Sequence, residues 1–249
     1  MTATLADTIF AATITALASG FGGLPFVFVR DFPRQIARMG WAVSGGLMLS
    51  ASVFNLIMPG VADAGITPVA IGIFLGAGVM VLASLWLNGR EFHVSGMSDA
   101  GARRSILVLF TIFIHSFPEG LAIGVAFGSG EIGLGLIMAV AIAIHNIPEG
   151  VAVSLPLRAE GVSGWKCVGW ATVSGVPQLL ACIPAYLAVV AFRPILPYAF
   201  GVAAGAMILL VISEMIPESV EKESQRLSSG VAGMAGFLAM MLLQNVLVF

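Results

Sequence analysis

Two short segments of the chain contain the same arrangement of metal-binding side chains. They read His115-Ser-Phe-Pro-Glu119-Gly and His145-Asn-Ile-Pro-Glu149-Gly. On a helix, residues four positions apart lie on one face, so each segment directs an imidazole and a carboxylate to the same side. Two such helices facing each other would place two imidazoles and two carboxylates around one point. The pattern therefore predicts a divalent-metal site.

The surroundings of the two segments are apolar. An ionisable side chain at the centre of a membrane span costs several kcal/mol unless it is paired or liganded, so His and Glu there indicate a function. Pro118 and Pro148 each lack an N–H and displace the carbonyl group four residues earlier. A freed carbonyl in the membrane needs a polar partner, which a lined cavity supplies. Two prolines in the same register favour such a cavity over the ordinary presence of proline in membrane helices.

The donor atoms narrow the choice of metal. Two neutral imidazoles and two carboxylates suit Zn²⁺ in tetrahedral geometry. The same set accepts Fe²⁺, Mn²⁺, Co²⁺, Ni²⁺ or Cd²⁺, because affinity alone discriminates poorly among these ions. Cys167 and Cys182 share one predicted helix at a distance of about 22 Å and are interpreted as packing residues. A thiolate site selective for Cu⁺ is therefore disfavoured.

Membrane helices must position these side chains. Of the 249 residues, 59% are hydrophobic and 10% are charged, against about 25% charged in soluble proteins. At about 20 apolar residues for each span, the sequence predicts an all-α bundle of eight transmembrane helices in one domain, residues 1–249. Met1 to Phe10 contain no Lys or Arg, so the first apolar segment is expected to be retained. The spans are predicted near 8–29, 39–59, 67–89, 105–127, 133–156, 167–191, 198–219 and 230–249.

The basic residues predict the orientation. Of the eleven Lys and Arg residues, only Arg193 falls on the side opposite the others. Cytoplasmic loops carry the excess of basic residues, so both termini are predicted to lie outside. No basic cluster indicates nucleic acid, and the lipid bilayer is an expected partner. The residues predicted to be cytoplasmic are Arg30, Arg34, Arg38, Arg90, Arg103, Arg104, Arg158, Lys166, Lys222 and Arg226.

A third, looser copy of the motif occurs in the seventh predicted span, where Glu214-Met-Ile-Pro-Glu218 carries Glu in place of His. Asn55-Leu-Ile-Met-Pro59 in the second span is similar. Proline-broken segments at matching positions in two halves are typical of transporters with inverted repeats. Glu214 and Glu218 are predicted to line a path towards the cytoplasm, with a water-facing interfacial role as the alternative for Glu218.

The paired motif resembles the fourth and fifth spans of the ZIP family of divalent-metal transporters, particularly its bacterial broad-specificity members. The similarity extends to Gly46-Leu-Met-Leu in the second span and to Ala204-Gly-Ala-Met through Glu218 in the seventh. The resemblance implies an elevator-like homodimer in the cell membrane that carries zinc and related ions into the cytoplasm, with the metal as cargo and no cofactor. It also implies that His115, Glu119, His145 and Glu149 form the first metal position.

The chain departs from the family pattern beside that position. Family members often have Asn where this chain has Ser116, and usually Glu where it has Gln178. In the family these positions, with Asn146 and the shared glutamates, build an adjacent second metal site. Here that site has lost one carboxylate and one amide, so a single tightly bound ion is expected.

Two other classes of protein compete with a transporter. An intramembrane zinc-dependent hydrolase needs an open coordination position for water and usually a Glu as general base. The sequence contains no His-Glu-x-x-His run, and its four candidate ligands could close the coordination sphere. A metal sensor would require an effector domain, for which the short connections leave no room. We therefore expect a transporter and not an enzyme.

Overall fold

The computed structural model describes residues 3–29, 33–88, 116–159, 161–220 and 225–247. Over these ranges the chain is almost entirely helical, as predicted. The helices are α1 Leu5–Gly23, α2 Pro25–Phe28, α3 Arg34–Ala51, α4 Met58–Ala64, α5 Ile66–Asn88, α6 116–128, α7 Ile132–Ala159, α8 Gly164–Ser174, α9 Val176–Ala191, α10 Leu196–Leu210, α11 Ile216–Ser219 and α12 Arg226–Leu247.

Six stretches of the described chain are long and apolar enough to cross a membrane. Helix α5 is a further apolar helix at the third predicted span, and α6 coincides with the end of the fourth. The prediction of a polytopic helical bundle is thus confirmed. The start of the fourth span lies outside the described residues, together with Arg30, Arg90, Arg103, Arg104 and Lys222. The six stretches are Leu5–Phe28, Arg34–Ala64, Ile132–Arg158, Gly164–Ala191, Arg193–Ser219 and Arg226–Leu243.

The helices pack as two groups. In the first helix group, α1 packs against α7, α8 and α9, and α6 packs on α9 through Gly120 and Gly124. In the second helix group, α5 packs against α10, and α3 against α12. The two groups meet mainly where α3 crosses α7. The described residues of both motif segments, 116–120 and 145–150, therefore lie in the first helix group.

Glycines allow the closest helix crossings. A Cβ atom on Gly150 of α7 would lie 1.8 Å from the carbonyl oxygen of Ser19 in α1. A Cβ on Gly76 of α5 would lie 2.0 Å from the carbonyl oxygen of Val202 in α10. Such small residues let membrane helices approach closely and gain van der Waals contact. These two crossings bring α7 close to α1 in the first group and α5 close to α10 in the second.

We expect Gly76→Ala to lower the thermal stability of the purified protein. The added methyl group collides with backbone, and overpacking of this kind costs about 1–3 kcal/mol. Gly78→Ala is the matched control, because a Cβ on Gly78, two residues along the same helix, would meet no atom of another described helix within 4 Å. At that position the substitution only removes the cost of a glycine within a helix, about 0.5–1 kcal/mol. The melting temperature of Gly78→Ala should therefore equal or exceed that of the parent. Equal shifts in the melting temperatures of the two variants would contradict the proposed close contact.

Two helices widen into a π-helical turn just before a proline. The π-helical turns span Ser52–Ile57, followed by Pro59, and Val211–Met215, followed by Pro217. Proline cannot donate the backbone hydrogen bond that a regular helix requires, and π-turns are frequent at functional sites. The similarity predicted between the second and seventh spans is therefore present in the backbone.

Candidate metal centre

Three of the four predicted principal ligands converge in the structure. Glu119 on α6 and His145 and Glu149 on α7 each offer one ligand atom, and these atoms lie within 4.8 Å of one another. The three residues are 1%, 2% and 4% exposed, respectively. The i, i+4 spacing on α7 brings His145 and Glu149 together, and the packing of α6 supplies Glu119. The fourth predicted ligand, His115, lies outside the described residues.

The charges in this cluster call for a cation. His145 Nε2 and Glu119 Oε1 lie 2.8 Å apart, within hydrogen-bond distance, so a nitrogen and an oxygen of the kinds that bind metals face each other. Glu149 Oε2 is buried without a hydrogen-bond partner in the described part of the chain. A buried carboxylate oxygen without a donor is costly. A divalent ion between the three side chains would satisfy this oxygen and neutralise both carboxylates.

A small cavity marks the position between the ligands. Its volume is about 10 Å³, roughly the room that one water molecule needs. Besides the three ligands, the second helix group supplies its walls, which are formed by Trp41, Met48, Leu210 and Met215. The ligands therefore belong to one helix group, and a mostly apolar surface of the other group closes the site.

The three predicted neutral side chains lie in the interior of the bundle. Ser116, Asn146 and Gln178 are all buried. The helical path is interrupted at Gly175, between α8 and α9. Gly175 packs directly on α1, since a Cβ there would lie 2.7 Å from Ala16 Cα. The break brings the start of α9 against α1 and directs Gln178 towards the site.

Gln178 presents its side-chain nitrogen to Glu119. Its Nε2 donates a hydrogen bond to Glu119 Oε2, and its Oε1 accepts one from the hydroxyl of Thr15 at 2.7 Å. Asn146 Nδ2 donates to the carbonyl oxygen of Thr15, also at 2.7 Å. Asn146 Oδ1 has no hydrogen-bond partner in the described ranges. Asn146 therefore keeps a free oxygen near the site, and Gln178 does not.

Thr15 is the site residue that the sequence reasoning missed. It is fully buried in α1, behind both Asn146 and Gln178. A sequence signal does exist, since Thr8, Thr15, Ser19 and Gly22 recur at helical spacing along one face of an apolar helix. All four are buried against the first helix group. Small polar residues on one face of a helix indicate that this face packs against other helices, but they do not identify the residues that it contacts.

The predicted path residues lie apart from this cluster. Glu214 is partly buried in the π-helical turn of the seventh span, and Glu218 is exposed in α11. Among the described residues, neither joins the group that could hold a metal ion. Their role in a path towards the cytoplasm remains a prediction.

The known proteins to which this chain is similar are named zinc transporters. Residues 90–244 match the family model described as the ZIP zinc transporter. A putative zinc transporter of Arabidopsis thaliana is 37% identical over 84% of this chain but 34% of its own length. The zinc transporter ZIP11 of Homo sapiens is 44% identical over 56% of this chain and 42% of its own length. The zinc transporter ZIPB of Bordetella bronchiseptica is 38% identical over 86% of this chain and 72% of its own length. The chain thus spans less than half of the first two relatives.

Proposed function

The chain belongs to the ZIP zinc transporter family, and we propose that it carries Zn²⁺ across the membrane into the cytoplasm through Glu119, His145 and Glu149. The observation that carries the proposal is the buried cluster of one imidazole and two carboxylates at a cavity of ionic size. His115, one helical turn before Glu119, is proposed as the fourth ligand. Ser116, Asn146 and Gln178 complete the surroundings of the ion, and Glu214 and Glu218 line the exit.

The division into two helix groups supports movement of the site during transport. All three described ligands belong to the first helix group, whereas the cavity walls facing them belong to the second. Met48, Leu210 and Met215 make no ion pair with the site, so sliding past them breaks few polar contacts. We therefore propose that displacement of the first helix group relative to the second opens the metal site to one side of the membrane and then to the other.

The site chemistry extends the range of ions beyond zinc. Imidazole and carboxylate groups also suit Fe²⁺, Mn²⁺, Co²⁺ and Ni²⁺. Met48 and Met215 line the cavity, and their thioethers are soft donors of the kind that favours Cd²⁺. A resident cofactor has no place in this proposal, since the metal is the cargo.

The assembly and orientation follow from the family resemblance and from the basic residues. An orientation with both termini outside the cytoplasm agrees with the excess of Lys and Arg in the loops after odd-numbered spans. The homodimer is proposed from the family resemblance alone. The alternative function, an intramembrane zinc-dependent hydrolase, receives no support, because the relatives are named transporters. The site also lacks a His-Glu-x-x-His helix.

Flux into sealed vesicles tests the function directly. Purified protein is reconstituted into liposomes that contain a zinc-sensitive dye, and Zn²⁺ is added outside. We expect saturable dye loading that depends on the protein and is reduced by competing Cd²⁺. Protein-free vesicles provide the baseline. Loading no faster than this baseline, from protein that binds Zn²⁺ when purified, would overturn transport and leave a binding protein.

A further inference from the structure

Helix α1 reaches the metal site through one residue. Thr15 donates its hydroxyl proton towards Gln178 Oε1, and its carbonyl oxygen accepts from Asn146 Nδ2. Gln178 in turn donates to Glu119, and Asn146 follows the ligand His145 in the chain. Thr15 therefore bonds both Gln178, which bonds Glu119, and Asn146, which is next to His145 in the chain.

The hydroxyl of Thr15 has two acceptors and a single proton. Gln178 Oε1 lies 2.7 Å from Thr15 Oγ1, and the carbonyl oxygen of Ala12 lies 2.9 Å from it. A hydroxyl group donates one hydrogen bond and accepts others, and its proton rotates to suit the partners. When the proton turns to Ala12, the oxygen of Thr15 is free to accept from the Gln178 amide. Thr15 therefore satisfies either orientation of that amide.

The two orientations of the Gln178 amide suit Glu119 without a bound cation and Glu119 with one, respectively. With the nitrogen towards Glu119, the N–H group supplies the donor that a buried carboxylate requires. With the oxygen towards Glu119, two acceptor oxygens face each other, which is stable only with a cation between them. The amide orientation is therefore coupled to the presence of the ion.

We propose that Thr15 is a positioning residue that sets the Gln178 amide to hold Glu119 before the ion arrives and lets the amide turn its oxygen to the ion afterwards. This inference rests on the proposed function of the site. Without the hydroxyl, Gln178 Oε1 loses its donor in one orientation and Nε2 loses its acceptor in the other. The amide then stops holding Glu119 in a fixed place, and zinc affinity falls.

Zinc binding to purified protein, measured by calorimetry, tests the role of Thr15. Removal of residues that orient metal ligands typically costs about 10–100-fold in affinity, so Thr15→Val should weaken zinc binding at least about tenfold. Thr15→Ser keeps the hydroxyl and should restore affinity to within about twofold. Thr8→Val is the matched control. Thr8 is also fully buried in α1, but among the described residues its hydroxyl bonds only the carbonyl oxygen of Thr4. That variant should bind zinc as the parent does.

A double-mutant cycle separates positioning from a general effect on structure. If Thr15 acts through Gln178, Thr15→Val should add little to the loss already caused by Gln178→Leu. Additive losses, equal losses in Thr8→Val and Thr15→Val, or unchanged affinity in Thr15→Val would each overturn the inference. Failure of the parent protein to bind zinc at all would instead overturn the proposed function.

Discussion

Replacing Glu149 by Gln is expected to abolish saturable zinc uptake into vesicles while the protein remains folded in the membrane. The substitution keeps the shape of the side chain and removes one of the two carboxylate charges in the described cluster. Because even the outer hydrogen-bond partners of a metal site are worth about 10–100-fold in affinity, loss of a charged ligand should weaken zinc binding by at least about 100-fold.

The stability of the same variant gives an independent check. Glu149 and Glu119 are buried close together, and Glu149 Oε2 lacks a hydrogen-bond partner in the described chain. Removing an uncompensated buried charge is neutral or stabilising. In the presence of a chelator, Glu149→Gln should therefore melt at the same temperature as the parent or higher. Added Zn²⁺ should raise the melting temperature of the parent only, because binding to the folded state stabilises it.

Glu131→Gln serves as the matched control for Glu149→Gln. Glu131 is exposed in the turn before α7 and undergoes the same chemical change outside the site. It should transport zinc as the parent does. Near-normal uptake by Glu149→Gln at equal expression would remove Glu149 from the site and with it the proposed path of the ion.

Metal counting on dialysed protein should find one tightly bound Zn²⁺ in each chain. Glu119 and Glu149 together carry two negative charges, so one divalent ion makes the site neutral. A second ion at about 4 Å would repel the first by about 16 kcal/mol at an effective dielectric constant of 20. The neutral side chains offer no charge to offset the repulsion.

The double variant Gln178→Glu, Ser116→Asn should raise the count from one to two ions per chain. A carboxylate at position 178 would attract the second ion by roughly half of the repulsion between the two ions, and the new amide would add an oxygen donor. Gln35→Glu is the matched control, because it adds the same charge at an exposed position of α3, and it should leave the count at one. Two well-occupied sites in the unmodified protein at low micromolar zinc would refute the charge argument. A count of one in the double variant would show that charge does not limit the second site.

The described helices and the pairing of His145 with Glu149 were predictable from the sequence because both depend on local spacing. Apolar length identifies membrane spans, since every backbone group in lipid must be satisfied within the helix. The i, i+4 spacing fixes His145 and Glu149 on one face before any packing is known. A buried carboxylate needs a compensating partner wherever the helix lies. The resemblance to the ZIP family rested on the same short motifs, and the family model confirms it.

The tertiary structure alone decided how the ligands are held. No spacing in the sequence relates Thr15 to Gln178 or Asn146, because hydrogen bonds between helices depend on which faces meet and at what height. The structure also showed that Gln178 directs its nitrogen to Glu119, since an amide offers either atom and only its neighbours choose between them. The separation of the ligands from the walls formed by Met48 and Leu210 likewise follows from packing between helix groups. Local periodicity determines the residues on a helix face, and only the assembled bundle determines what that face meets.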